Sequence, residues 1–223
     1  MTAGSGLFVS EHANKEHLLR GTGGLGPEIA DVRADVARTL LPLAAITVEE
    51  YTNPATEAVA GLEAATATTV APRSVTTFLA GGVAALLAYG RNVTFTTAGA
   101  TPANAPATAL VTGTDVDGAA LTETVALAQT ATIAAGVKIF KTVTDVDYAA
   151  ADGTAATVAI GFGALLGMSK TMKARAGLSR PIREIAVGAV VTSGVFDVPN
   201  RSYAPAAAPN GANDYCLYYE YTL

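Results

Sequence analysis

"TALVTGTDVDGAALTETVAL", residues Thr108–Leu127, carries the clearest sign of the fold class. Two runs rich in Thr, Val and Leu flank Asp117-Gly118. A glycine at such a point accepts positive φ and lets one strand fold back on the next. The stretch therefore predicts two antiparallel strands around a tight turn. Upstream, "RNVTFTT" sets Val93, Phe95 and Thr97 against Asn92, Thr94 and Thr96, the two-residue period of a strand, and a loop with Pro102, Asn104 and Pro106 closes it. Downstream, "GVKIFKTVTDVDYAAADGTAATVAIGF" repeats the design, with Asp152-Gly153 read as a second hairpin turn. "VTGTDVDG" and "KTVTDVDY" echo one another, as two hairpins of like geometry would without a true repeat.

Further strands are expected in "AITVEEY", stopped by Asn53-Pro54, then in "IREIAVGAVV" and "VFDV". After a loop over 199–213 comes the last strand, "DYCLYYEYTL", with Tyr215, Leu217, Tyr219 and Tyr221 on one face. Strands at this spacing predict a mainly β fold, an antiparallel sandwich or jelly-roll-like body. Segment 74–90, "SVTTFLAGGVAALLAYG", reads as a strand or a short buried helix. It falls short of the ~20 residues of a membrane span.

The N-terminal third has another texture. Pro27 suits a first helical position, and Ile29, Val32, Val36 and Leu40 recur at helical spacing, so a helix is expected over about 27–41. Residues 1–26 read as an extended arm, and 27–223 as the body. The opening residues lack the basic and apolar regions of a signal peptide, which predicts a soluble protein with no membrane partner.

Composition narrows the function. The chain has 223 residues, 50% of them apolar and only 15% charged, with a net charge of −5. A mildly acidic chain lacks the basic face that phosphate backbones require, which argues against nucleic acid as the main partner. The lone Cys216 cannot form an internal disulfide and reads as a small packed thiol.

Several motifs invite chemistry. "GTGGLG" supplies Gly21, Gly23 and Gly26 in a dinucleotide-fingerprint spacing before a helix. That fingerprint needs a hydrophobic strand leading into its first glycine, so that the helix N-terminus faces pyrophosphate. Here "SEHANKEHLLR" precedes it, polar and more helical than extended, so the glycines read as a hinge between arm and helix. Asp115, Asp117, Gly118 and Glu123 suggest a calcium loop, yet with Gly118 at loop position 6, Gly113 and Thr124 fall where carboxylates belong. His12 and His17 are five apart, off the spacing of a helical metal pair, and read as solvated or interface residues. Lys170, Lys173, Arg175, Arg180 and Arg183 form the one local basic cluster, a solvated loop or a docking element for an acidic neighbouring subunit. No catalytic group, cofactor or metal is expected.

"RNVTFTTAG…VTGTDVDGAALTETVAL…GVKIFKTVTDV" resembles a recurring type of tailed-bacteriophage virion protein, in which these three phrases follow one another in a β-sandwich. The likeness covers about 90–165 and extends loosely to "PNGANDYCLYYEY". It implies a structural role in the virion, foremost as a capsid decoration or cement protein, with a neck or tail-tube component as the alternative. A cell-surface adhesion module and, remotely, a nucleotide-binding enzyme are the readings from other classes. The implied partners are the major capsid protein or other virion subunits and further copies of the chain, assembled in the host cytoplasm. Interface candidates are His12, His17, Gly21, Gly23, Gly26, Lys170, Lys173, Arg175, Tyr215, Tyr219 and Tyr221.

Overall fold

The computed structural model describes residues 44–172, 183–186, 189–191 and 194–222. The expected arm over 1–26 and helix over 27–41 lie outside them. The described chain is mainly β, and its strands pair antiparallel, as the sequence predicts.

The hairpin that decides the class forms as expected: β5 (Thr108–Thr114) pairs with β6 (Ala120–Ala126), Thr114 opposite Ala120. The Gly118 N–H donates to the Asp115 carbonyl at 3.1 Å, and Gly118 has φ +83. Asp115 Oδ1 accepts from the amides of Asp117 and Ala119, both at 2.9 Å. The turn is thus closed by its own aspartate and needs left-handed backbone at its fourth residue. Gly118→Ala meets open space but keeps that φ, so it is expected to cost about 1 kcal/mol, read from the urea midpoint.

β5 also pairs with β8 (Thr142–Tyr148), and β8 with β3 (Arg73–Val75), giving a four-stranded sheet in the order β3-β8-β5-β6. A second sheet is built on β9 (Ala156–Gly167), flanked by β4 (Arg91–Gly99) on one side and by β2 (Ala58–Ala67) and β13 (Ser202–Ala204) on the other. The short strands β7 (Ile133–Ala135) and β12 (Val195–Asp197) end it. A third sheet runs β1 (Ala44–Tyr51), β14 (Tyr215–Thr222), β10 (Arg183–Ala186) and β11 (Ala189–Val191).

The second expected hairpin does not form. β8 belongs to the first sheet and β9 to the second, so Asp152-Gly153 lies in a crossing between sheets. Gly153 is absent from the positive-φ residues, in contrast to Gly118. A turn dipeptide permits a reversal, but pairing is decided by which sheet buries the strand that follows, and β9 is buried on both faces along most of its length. β2 was also not anticipated. Its sequence, AVAGLEAATA, is poor in β-branched and aromatic residues, and it is held extended by pairing with β9.

Segment 74–90 resolves into the end of β3 and one helix, α1 (Ala80–Tyr89). Gly82 fits α1 onto β2: a Cβ there would stand 2.2 Å from the Gly61 carbonyl oxygen. Among the described residues no helix is long and apolar enough to cross a membrane.

Two clusters of buried side chains hold the strands. The larger takes Val111, Val125 and Val146 from the first sheet, Val93, Phe95, Val158 and Ile160 from the second, and Leu86 from α1. Phe95 and Ile160 face each other in register and are fully buried, each worth about 1.5–3 kcal/mol of transfer free energy. The smaller cluster is tyrosine-rich and joins Leu166 and Met168 to Tyr51, Tyr203, Tyr215, Leu217 and Tyr219.

Candidate functional site

β9 serves both clusters, and the polar chemistry of the body concentrates where it passes from one to the other. Pairing with β4 runs regularly from Gly99/Ala156 to Val93/Phe162, then jumps to Arg91/Leu166. The residues between Phe162 and Leu166 form a bulge whose backbone groups lose their ladder partners.

Arg91 and Asn92 supply the missing partners. Arg91 has no exposed surface; its Nε and Nη2 donate to the Gly163 carbonyl at 2.9 and 2.5 Å, and its Nη1 to the Ala55 carbonyl at 3.0 Å. The guanidinium lies 5.2 Å from the Phe162 ring centroid. Asn92 Oδ1 accepts from the Leu165 amide at 3.3 Å while its Nδ2 donates to the Gly136 carbonyl at 3.0 Å. Burial lowers the Arg91 pKa to about 10, against a smaller opposing pull from Glu57, and the group stays cationic at neutral pH. The arrangement splices strands; the Arg-Asn pair that opens "RNVT" is how the sequence closes the bulge.

In the tyrosine cluster, the Tyr219 hydroxyl donates to Glu49 Oε2 at 2.7 Å, and Glu49 Oε1 accepts from the Ser169 amide at 2.8 Å. Tyr51 donates to the Gly167 carbonyl at 2.9 Å, and Tyr215 to that of Ala207 at 2.9 Å. Burial, with Glu49 nearby, pushes the Tyr51 and Tyr219 pKa values up, so both remain neutral donors.

The terminal-strand candidates fall on one face as expected. Tyr215 and Tyr219 are core residues at 1% exposure, and Tyr221 is half-buried. The Lys170 amide donates to the Tyr219 hydroxyl at 3.2 Å, and its Nζ lies 6.0 Å from the Tyr221 ring centroid. The fold thus brings Lys170, Tyr219 and Tyr221 together. His12, His17, Gly21, Gly23, Gly26, Lys173 and Arg175 lie outside the described residues.

The calcium-like carboxylates are occupied separately. Asp115 caps its turn, Asp117 pairs with Arg201, and the buried Glu123 accepts from the amides of Val137 at 2.8 Å and Lys138 at 3.3 Å. Among the described residues no three His, Cys, Asp or Glu side chains converge on a common point. Cys216 is half-buried on β14. A cavity of about 150 Å³ lies beside the hairpin turn, lined by Asp115, Val116, Lys138, Ile139 and Arg201 among others.

Sequence reading missed Arg91 and Asn92. Their signal was a charged and an amide residue opening a strand otherwise built mainly of Val, Phe and Thr. No protein-family model, curated protein or solved structure matches the chain.

Proposed function

We propose that the chain is a structural subunit of a tailed-bacteriophage particle, a capsid decoration or cement protein that binds the assembled head shell and braces neighbouring capsomers. The observation that carries the reading is that all three phrases of the virion-protein likeness are framework elements of the body. "RNVT" opens β4 and closes the β9 bulge. "VTGTDVDG" forms the β5–β6 hairpin. "KIFKTVT" bridges Arg91 through Phe140 and then enters β8 beside β5.

The surface chemistry supports the same reading. Ser74, Asp147, Leu110 and Thr124 form one exposed row across the first sheet, in register. Three of the four are short side chains, which lose little rotamer entropy on docking. A shallow face of this kind binds weakly alone and gains avidity when many copies bind a symmetric lattice.

Purified protein is expected to cosediment saturably with assembled shells and not with isolated capsid subunits. Deleting residues 1–25, nearly all of the expected attachment arm over 1–26, should leave a folded body that no longer decorates. Normal shell occupancy by the truncated chain would overturn the arm assignment. Binding to a host glycan in place of shells would favour the adhesion module, and label at the neck or along the tail would move the subunit there.

A further inference from the structure

The cavity beside the β5–β6 turn has a volume of about 150 Å³, enough for a benzene-sized molecule. Two kinds of side chain line it. Val116, Leu121 and Ile139 make one part aliphatic, while Asp115, Lys138 and Arg201 bring one carboxylate and two cations to the rest. Glycines seat the aliphatic part. A Cβ on Gly90 would stand 2.8 Å from Ile139 Cγ2 and 3.0 Å from Val116 Cγ1, and one on Gly167 would stand 2.6 and 2.8 Å from the same two atoms. Neither glycine lines the cavity, so Val116 and Ile139 stand between the glycines and the space. A larger residue at either position would drive both side chains out of their seats.

Arg201 carries the charged part. Among the described residues only Asn53 and Arg201 combine a side chain with left-handed backbone, Arg201 at φ +51. Strain of this kind persists where the surroundings over-determine it, and it clusters at ligand clamps. Arg201 Nη2 donates to the Met168 and Ser169 carbonyls at 3.1 and 2.7 Å, and Nη1 donates to Asp117. The guanidinium is thereby fixed, yet its buried Nε finds no acceptor among the described residues. Such a donor calls for an oxygen from outside the chain. Lys138 Nζ gives one hydrogen to the Thr122 carbonyl at 2.8 Å and keeps two, and Asp115 takes the turn amides on Oδ1, which leaves Oδ2.

Asp117 offsets Arg201, and Asp115 offsets Lys138, so the surroundings of the cavity are close to neutral with both signs present. A ligand of one sign meets a like charge as well as an opposite one. A ligand with both signs and an aliphatic body meets a complement on every side. We propose that the cavity binds a free aliphatic α-amino acid. Its carboxylate turns to Arg201 and Lys138, its ammonium to Asp115, and its side chain to Val116, Leu121 and Ile139. A chain terminus carries only one of the two charges, and a peptide interior neither. For so small a ligand in a half-buried site the dissociation constant is about 1–10 mM. The site stands whether or not the chain is a virion subunit.

NMR titration of the isotope-labelled full chain with L-leucine reads the binding directly. Saturable amide shifts are expected around 115–121, 138–139 and 199–201. Isoamylamine and 4-methylpentanoate, which keep the aliphatic body and lose one charge each, should bind at least fivefold more weakly. Leu121→Trp, which fills the cavity, and Lys138→Met, which removes a cation, should each weaken leucine at least fivefold, with circular dichroism reporting the fold. If Leu121→Trp does not fold, Lys138→Met decides. No saturable shift up to about 50 mM leucine overturns the proposal, as does saturation at residues away from the cavity. Equal affinity for either single-charge analogue, or unchanged affinity in Lys138→Met, overturns it as well.

Discussion

Arg91→Met is expected to destabilise the protein by about 2–4 kcal/mol, among the largest effects of any single side chain in the body. Methionine fills much of the same volume but donates nothing, so the Gly163 and Ala55 carbonyls lose the three N–H groups that satisfy them. Hydrogen bonds from a charged donor contribute about 1.5–3 kcal/mol each, which alone would give a larger loss. Part of it is offset, because methionine removes a cation that is costly to bury, as the Arg91 pKa of about 10 indicates. Arg91→Lys should fall between the two, since an ammonium keeps the charge but cannot span both carbonyls in the guanidinium fork. Urea denaturation followed by circular dichroism measures the loss. Tyrosine fluorescence, weighted to the smaller cluster, should report an earlier transition in Arg91→Met, because the splice holds the part of β9 that enters it. A variant within 0.5 kcal/mol of wild type, with coincident transitions, would show that the bulge satisfies itself through water.

The parts legible from sequence were those with local causes. Gly118 needs left-handed backbone, and Asp115 caps the same turn, so the hairpin is written within five residues. The alternation of Tyr215, Leu217 and Tyr219 likewise forecasts one buried face whatever covers it. Asp152-Gly153 offered the same local chemistry as Asp117-Gly118. Its outcome depended on whether β9 joined β8 or the distant β2 and β4, a long-range competition that a dipeptide does not encode. β2 failed for the opposite reason: its alanine-rich sequence prefers no extended state, and tertiary pairing overrides it.

The site was less legible than the fold because it exists only through register. Arg91 and Asn92 adjoin in sequence, but the groups they bind belong to Ala55, Gly136, Gly163 and Leu165. Nothing local announces that β9 gains residues opposite Asn92. The helix α1 is an intermediate case. Its lack of polar residues is plain in "AGGVAALLAY" and reads as burial or a strand, whereas among the described residues one side is covered and the other is exposed.

The second large effect expected is at Gly161, where alanine should cost about 3 kcal/mol or prevent folding outright, although only one methyl group is added. Gly161 lies in the middle of β9, opposite Thr94. On its other side the register of β2 jumps from Ala58/Phe162 to Glu63/Ile160, so the intervening residues of β2 bow across the strand. A Cβ on Gly161 would stand 2.0 Å from the Ala58 carbonyl oxygen and 2.7 Å from the Val59 carbonyl carbon. Both are backbone atoms, so no rotamer change can clear them. The bow cannot retreat either, because Gly82 of α1 is packed against it from the far side with equal closeness, and the Leu79 amide is bonded to the Leu62 carbonyl at 2.8 Å. Relief therefore means moving β2 and α1 together, with loss of the pairing that gives β2 its extended form. Gly81→Ala, in the same helix but facing open space, should stabilise the protein. Opposite signs in urea titrations of the two variants, with circular dichroism for residual structure, are the expected result. A Gly161→Ala protein as stable as wild type would mean that the β2 bow is soft and takes up a methyl group at little cost.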